Sequence, residues 1–472
     1  MKKNYFLAIA VAAILVATTV AQAADITFSG QFRPRWQSAD DFAGQTDSRN
    51  YFTQRTRLNA KANVNANTEV FLQFQSVGTW GNAGSSAGTR VSTGDATSAN
   101  DLVDDVGFHE AYLTLKNFMG KAVNAKIGRQ QIVLDGHRLF GHTGWTDGAQ
   151  SSDAIRLDHA AGNHTISYIY IAGTENESSS AADEANVHFH AFRANTQGVL
   201  GGDLTGMFVI TEDNATGGTT TDDNNTWYTI GGRQKGKMGG LDYRVEYYHQ
   251  FGDGAVPATA AAFSGAYTSA TNSADIDRSA SMFGVRVGKT FKNAQLSPTF
   301  TLWFDSLSGT DDDDASDGSW GTFNTLMDTG HKFYGFMDMF LGASGGKTGY
   351  YGLQDIALKT KFKLSDKNTL KADIHHFQTQ TDMSNTDSDT LIGQDSKINT
   401  QSTNDKGDLG QEIDVTLVHK YDANTNISVG YSHYWTTTTF AQLNEGAGDN
   451  GGTNGSNAND DADWAYVQVH TK

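Results

Sequence analysis

Cysteine is absent from the 472 residues, and proline occurs only 3 times against 51 glycines. Without cysteine there is no disulfide, no thiolate metal centre, no cysteine nucleophile and no Cys-x-x-Cys-His haem attachment. The scarcity of proline leaves long strands uninterrupted, because proline removes a donor from a sheet ladder. Long apolar runs are also scarce, and after residue 23 no helix-length hydrophobic segment remains. That excludes a bundle of transmembrane helices. It leaves a barrel open, since a barrel strand needs only about 10 residues of alternating polarity. Positive charge is in deficit overall, with 35 Lys and Arg against 53 Asp and Glu, a formal net charge of -18.

What is present starts with Lys2 and Lys3, an apolar run from Phe6 to Val20 and the small-x-small sequence Ala21-Gln22-Ala23. This is the layout of a secretory leader cleaved after Ala23. Residues 1–23 are read as signal peptide and 24–472 as one domain, since no linker or shift of composition divides them. An exported chain of this length without disulfides fits the bacterial envelope.

Alternation of period two begins directly after the leader. In "ITFSGQFRPRWQ", Ile26, Phe28, Phe32 and Trp36 share one face, and Arg33, Arg35 and Gln37 the other. "FTQRTRLNAKANV" sets Leu58, Ala60 and Ala62 against Arg55, Arg57 and Lys61. "LDYRVEYYHQF" and "LQDIALKTKFKL" repeat the pattern, with Arg244, Lys359 and Lys361 on the charged face. Eighteen such segments can be drawn, from 26–38 to 461–471, including 121–134, 295–308 and 350–364.

Their connections alternate between short turns such as "MGG" and "SDK" and long stretches rich in Gly, Ser, Asn and Asp. A soluble sandwich has no reason to sort its loops by length onto two ends. A transmembrane antiparallel β-barrel does, with short periplasmic turns and long extracellular loops. The fold expected is therefore all-β, a barrel of about 18 strands in the bacterial outer membrane. At that size an aqueous lumen is expected. Trp36, Phe52, Tyr243, Phe251, Phe291, Phe304, Tyr421 and Trp435 lie near strand ends, where aromatic girdles form.

Charge divides with the elements. By these boundaries the nine long connections hold 34 acids and 8 bases, and the strands and short turns of the mature chain hold 19 acids and 25 bases. The acidic loops, "DDDD" at 311–314 among them, read as a solvated outer surface. Arg33, Arg35, Arg55, Arg57, Lys61, Arg244, Arg286, Lys359, Lys361 and Lys371 fall on the inward polar face. Glu110, Asp242, Glu246, Asp355, Asp373, Glu412 and Asp414 are inward acids able to pair with them. A lumen with an excess of Arg and Lys selects anions.

The stretch "GRQQIVLDGHRLFGHTGW" (128–145) is compatible with a phosphate cradle, a metal loop or a glycine-rich turn. It follows a barrel strand and opens no helix, which removes the cradle. The glycines would let it fold toward the lumen and carry Arg129 and Arg138 with it. Together with "YFTQRTRLNAKA" (51–62), "EAYLTL" (110–115), "HKFYGFMDMF…GLQDIALK" (331–359), "LKADIHHF" (370–377) and "LGQEIDVTLVHKY" (409–421), it resembles the alginate export family of outer-membrane barrels. The resemblance implies an 18-stranded barrel whose lumen is constricted by inward arginines and, in the founding member, passes a polyuronate. Carried over by position, Arg55, Arg57, Arg129, Arg138 and Arg156 are the pore-lining guanidiniums, whose planar fork matches carboxylates and stays charged. Asp338 and Asp355 occupy the acidic positions. The last strand departs from the family pattern, ending in Lys472 rather than an aromatic residue.

The expectation is a passive porin for hydrophilic anions such as acidic oligosaccharides or small organic and inorganic anions. Arg33, Arg35, Arg55, Arg57, Arg129, Arg138, Arg156, Arg244, Lys359 and Lys361 would line it, with Glu110, Asp338, Asp355 and Asp414 as lumen acids. No catalytic residue, metal, cofactor or nucleic-acid partner enters this reading. Its partners are outer-membrane lipid, lipopolysaccharide, the barrel-assembly machinery and the solute. The rival readings are weaker. A rim hydrolase lacks a nucleophile motif such as Gly-x-Ser-x-Gly. A metal site at His137 and His142, or at His188 and His190, lacks a third ligand. A sheath for a multihaem electron-transfer partner is disfavoured because the chain brings no haem motif and an 18-stranded barrel with its own constriction suits solutes better. A purely structural or adhesive role would not call for the basic interior.

Overall fold

The computed structural model describes residues 25–40, 48–80, 106–174, 187–213, 225–254, 276–310, 314, 317–341, 346–383, 405–444 and 461–472. The expected leader (1–23) and much of the acidic outer loops lie outside them. Eighteen long strands are present: Asp25–Asp40 (β1), Arg49–Asn65 (β2), Thr68–Thr79 (β3), Val106–Leu115 (β4), Val123–Gln130 (β5), Ser152–Ala161 (β6), His164–Thr174 (β7), Val187–Val199 (β8) and Gly202–Asp213 (β9). They continue as Asn225–Met238 (β10), Leu241–Asp253 (β11), Asp277–Thr290 (β12), Thr299–Leu307 (β13), Leu353–Lys363 (β14), Asn368–Met383 (β15), Asp405–Lys420 (β16), Thr425–Trp435 (β17) and Ala462–Thr471 (β18). Each pairs antiparallel with its sequence neighbours, and β1 closes on β18 with Arg35 opposite Gln468. Closure leaves no edge, which is the condition for a sheet to cross a bilayer.

The outward face is the apolar one. Phe28, Leu58, Ile166 and Leu302 are each more than half exposed, at 53 to 65%. A water-soluble protein would cover such a band, and here lipid does. Of the eight aromatic residues expected near strand ends, Trp36, Phe52, Tyr243, Phe251, Phe304 and Trp435 fall on this face by strand parity, while Phe291 and Tyr421 are exposed one residue beyond β12 and β16. Phe52 stacks on Trp80 with centroids 5.0 Å apart.

Three strands are shorter than the alternation indicated: 121–134 contracts to β5, 295–308 to β13 and 350–364 to β14. β13 loses residues 295–298 to its turn from β12, in which the Phe291 amide donates to Pro298 O at 2.8 Å. The other two segments lose residues to the connections after β5 and β13, which leave the wall and turn into the barrel. A parallel bridge joins them at Phe140 and Met327, with the Gly141 amide donating to Met327 O at 2.7 Å and the Met327 amide to Leu139 O at 2.9 Å. Leu134, Leu139, Phe140, Phe323, Phe333, Met337 and Phe340 form an interior core around that contact. It packs on inward wall residues that are apolar, Ile169 and Ile171 of β7, Met207 and Val209 of β9 and Met282 of β12. Each fully buried side chain of this kind contributes roughly 1.5–3 kcal/mol. The lumen is thus not a plain water-filled cylinder, because two inward connections occupy part of it.

Candidate functional site

The connection 131–151 starts with a tight turn, in which the His137 amide donates to Leu134 O at 2.8 Å. Gly136 sits in it at φ 83°, and a Cβ there would come within 2.7 Å of the Arg233 guanidinium. Asp135 anchors the turn by a fork from Arg193, at 2.7 and 2.8 Å, with Arg233 bonded to its carbonyl. The next anchor is Arg138, almost fully buried. Its Nε and Nη2 donate to Glu246 at 3.0 and 2.8 Å, Nη2 to Asp305 at 2.7 Å, and Nη1 to the Tyr334 hydroxyl at 2.7 Å. Glu246 and Asp305 both lie opposite Gly284 in the ladder, and a Cβ at Gly284 would meet Asp305 Oδ1 at 2.7 Å.

The tip of the same connection is held by β1 and β2. Arg33 donates to Gly144 O, Thr146 O and Asp147 Oδ1 at 2.9, 3.0 and 2.7 Å. Arg35 donates to Trp145 O at 2.6 Å and lies 3.9 Å above the Trp145 ring. Arg55 donates to Gly144 O and Thr146 O at 3.2 and 3.0 Å. Burial pushes the Asp147 carboxyl up, but Arg35 and Arg33 outweigh it and hold the group below the usual carboxylate range. Seven of the nine hydrogen bonds of these three inward arginines therefore go to the connection itself.

Below it, on the side of the short turns, lies a cavity of about 890 Å³. Among the described residues its basic side chains are Arg55, Arg57, Lys332, Lys359, Lys371 and Lys472, and the one acidic side chain in its lining is Asp373. Arg57 spends Nε on Gln75 at 2.7 Å, while its Nη2 has no protein partner. His137, His142, His331 and His470 also face the cavity. Burial and the positive field of Arg57, Arg55 and Lys332 keep the His142 imidazole below its usual range. Burial, Lys332 and His142 push His137 down to about 4. Lys332 is itself lowered, first by burial and then by Arg244, Arg233 and Arg138. Burial is the largest cause of all three shifts, and the neighbouring cations add to it in the same direction.

Aromatic surface shares the cavity with this charge. The His331 ring stacks between Trp145, at 4.5 Å and 3°, and Phe336, at 5.0 Å and 15°. Trp303 and Tyr466 complete it. A second hollow of about 480 Å³, beside β9 to β13, is lined by Lys235, Lys237, Arg244 and Arg286. There Lys235 pairs with Asp203 at 3.3 Å and Lys237 with Asp242 at 2.8 Å, which leaves less uncompensated charge.

The other expected residues are placed as follows. Arg156 faces inward with Asp158 at 2.7 Å, and Arg244 faces inward with Glu246 at 2.9 Å. Lys359 and Lys361 lie on the inward face of β14, and Lys359 bonds Asp373 at 3.1 Å. Glu110 accepts from the Gln131 amide at 3.2 Å, and Asp338 lies 2.7 Å from His331 Nδ1. Asp355 holds His375, and Asp414 accepts from the Ser432 hydroxyl at 2.5 Å.

Arg129 departs from expectation. It shares parity with Ile127, sits opposite Asp153 and pairs with that carboxylate at 2.6 Å on the outward face. It precedes the inward turn, so it remains with the wall and does not line the lumen. Arg138 does enter the barrel, but as a buried clamp rather than an open lining residue. The His137 and His142 rings lie 4.9 Å apart at a tilt of 56°, while His188 and His190 face outward against Tyr170 and Tyr168. His331, Lys332, Trp303 and Phe336 are not among the expected lining residues, nor is Trp145, which closes the stretch 128–145. For His331, Lys332 and Phe336 the signal is the aromatic run "HKFYGFMDMF" within a long polar connection, since a solvated loop has no use for it.

Residues 24–450 match the family model described as alginate export. No curated protein matches the sequence. Among solved structures, the chain is similar to Acinetobacter baumannii OccAB1, at 12% identity and a TM-score of 0.56 over 96% of this chain and 98% of that one. It is similar to Pseudomonas aeruginosa OccK8 (OprE), at 11% and 0.54 over 96% and 99%. For Pseudomonas aeruginosa OpdK with vanillate the figures are 10% and 0.53 over 95% and 98%. At such identities the likeness is one of fold. The barrel is an outer-membrane channel, and the chain belongs to the alginate export family.

Proposed function

We propose that the channel favours anions and that the cavity of about 890 Å³ is where the solute dwells on its way through. The observation that carries this is the charge of its side chains: among the described residues, six basic ones against one acidic, which is already paired with Lys359. Such a lining raises the local concentration of anions and speeds their entry. Arg57 and Lys332 are the residues best placed to meet a solute, with Lys359 and Lys371 on the opposite wall. The stacked Trp145, His331 and Phe336 rings add an apolar surface for the flat side of a ring.

Carboxylates borne on rings are the solute class that uses both features. Uronate sugars and aromatic acids belong to it, as do the alginate of the family's description and the vanillate of the OpdK structure. Movement follows the solute's own gradient. Arg33, Arg35 and Arg55 act mainly by fixing the connection that sets the width of the path.

The test is planar-bilayer conductance with reversal potentials in a salt gradient. The channel is expected to prefer chloride over potassium, and organic carboxylates are expected to block that current at lower concentration than neutral sugars. A potassium-selective pore would overturn the reading.

A further inference from the structure

Behind the cavity's Lys359 lies a buried pair, Asp355 and His375, that the solute does not touch. His375 is fully buried in the β15 wall. Its Nδ1 lies 2.9 and 3.1 Å from the two carboxylate oxygens of Asp355, and its Nε2 lies 3.1 Å from Lys359 Nζ. Lys359 Nζ lies 3.1 Å from Asp373 Oδ2, sits 4.8 Å from the Trp303 ring centroid and lines the cavity. The ladder produces this arrangement, for His375 is opposite Ala357 and its diagonal neighbours on β14 are Asp355 and Lys359.

Donor and acceptor counts fix the imidazole's state. An ammonium has three donors and no acceptor, so Nε2 must accept from Lys359. The single ring proton then sits on Nδ1 and is donated to Asp355. A second ring proton would turn Nε2 into a donor and set two like charges 3.1 Å apart. The bond does not survive that change.

We propose that Asp355, His375 and Lys359 form a proton-linked relay that positions the cavity's lysine. With His375 neutral, Lys359 is drawn against the wall. With His375 protonated, its ammonium is released into the cavity, where it meets the solute. His375 is a positioning residue acting through Lys359, and the inference rests on the anion-channel reading. The charged groups that face it are Asp355 and Lys359 from β14, Asp373 from β15 itself, and Glu412 and Asp414 from β16, Glu412 being directly opposite. Asp305 of β13 lies opposite Asp355, and His331 and Lys332 of the inward connection face the same cavity.

Reversal potentials of the intact barrel, measured in a potassium chloride gradient from about pH 8 to about pH 5, span the interval in which histidine changes charge. The chloride-to-potassium permeability ratio should rise on acidification by on the order of threefold, the effect of one unit charge about 6 Å from an ion in water. In His375→Gln, whose amide can serve both neighbours without titrating, that share of the rise should vanish. His376→Gln, on the outward face, should keep it. Four other imidazoles face the cavity, so the readout is the difference between wild type and His375→Gln. That difference should disappear in a Lys359→Gln background. A zero difference, or one that persists in that background, overturns the relay. Asp355→Asn gives the same test from the other end if His375→Gln does not fold, with a smaller rise expected and an unchanged rise refuting it. A potassium-preferring wild type would overturn the anion-channel reading alone, because the same difference still decides the relay.

Discussion

Replacing Arg138 by methionine separates a clamp from a pore-lining charge. The guanidinium makes four hydrogen bonds to Glu246, Asp305 and Tyr334, and its two carboxylate partners have fully buried side chains. Removing one side of a buried ion pair costs about 3–5 kcal/mol, because the opposite charge is left in a low-dielectric interior. Arg244 remains 2.9 Å from Glu246, and Arg286 remains 3.5 Å from Asp305. Those two cations place the expected loss at the lower end, about 3 kcal/mol, or roughly two decades in the equilibrium for detaching the connection. The assay is urea unfolding in detergent followed by tryptophan fluorescence, with limited proteolysis between residues 131 and 151. The double variant Arg138→Met with Asp305→Asn should recover part of the loss by removing a stranded charge. An Arg138→Met barrel of wild-type stability that merely loses anion preference would refute the clamp.

Arg129→Gln should leave selectivity unchanged, because the pair with Asp153 faces outward and an exposed pair contributes about 0–1 kcal/mol; a shift in reversal potential would contradict that placement. Arg57→Gln and Lys332→Gln should each lower the chloride-to-potassium ratio by roughly threefold, the effect of one unit charge about 6 Å from an ion in water. No change in either variant would remove these side chains from the solute's path. Burial pushes the Asp328 carboxyl up to about 7 against the pull of Arg138 and Thr325. A raised carboxyl stabilises the fold where it is protonated, and that contribution is lost as pH rises from about 4 toward 7. Asp328→Asn should therefore gain thermal stability relative to wild type at pH 8 compared with pH 5. Equal differences at the two pH values would contradict the assignment.

Several arginines expected to line the pore instead hold the constriction in place. Arg33, Arg35 and Arg55 direct their guanidiniums at carbonyls of residues 144–146, where water would otherwise have to satisfy a strained tip. A guanidinium suits that work because five donors in a rigid fork can serve several carbonyls at once. The charge left for solutes comes from side chains with spare donors, Arg57 and Lys332 foremost.

Strand number, facing and membrane placement were legible because they follow from local rules. A period of two assigns each side chain to one face, and Phe28, Leu58 and Ile356 fall outward as the alternation requires. Turn lengths sort the two ends of the barrel in the same local way. The inward connections left traces too: β7 and β9 carry Ile169, Ile171 and Val209 on the face that should be polar, and "HKFYGFMDMF" is apolar inside a polar loop. Those traces showed that something packs there, not what. Only the tertiary structure decided which charges are spent and which are free. Arg138 meets Asp305 across 167 residues and Arg33 meets Asp147 across 114, and no local period encodes such a meeting. Arg129 shows the limit from the other side, since nine residues separate it from Arg138 and the chain turns off the wall between them.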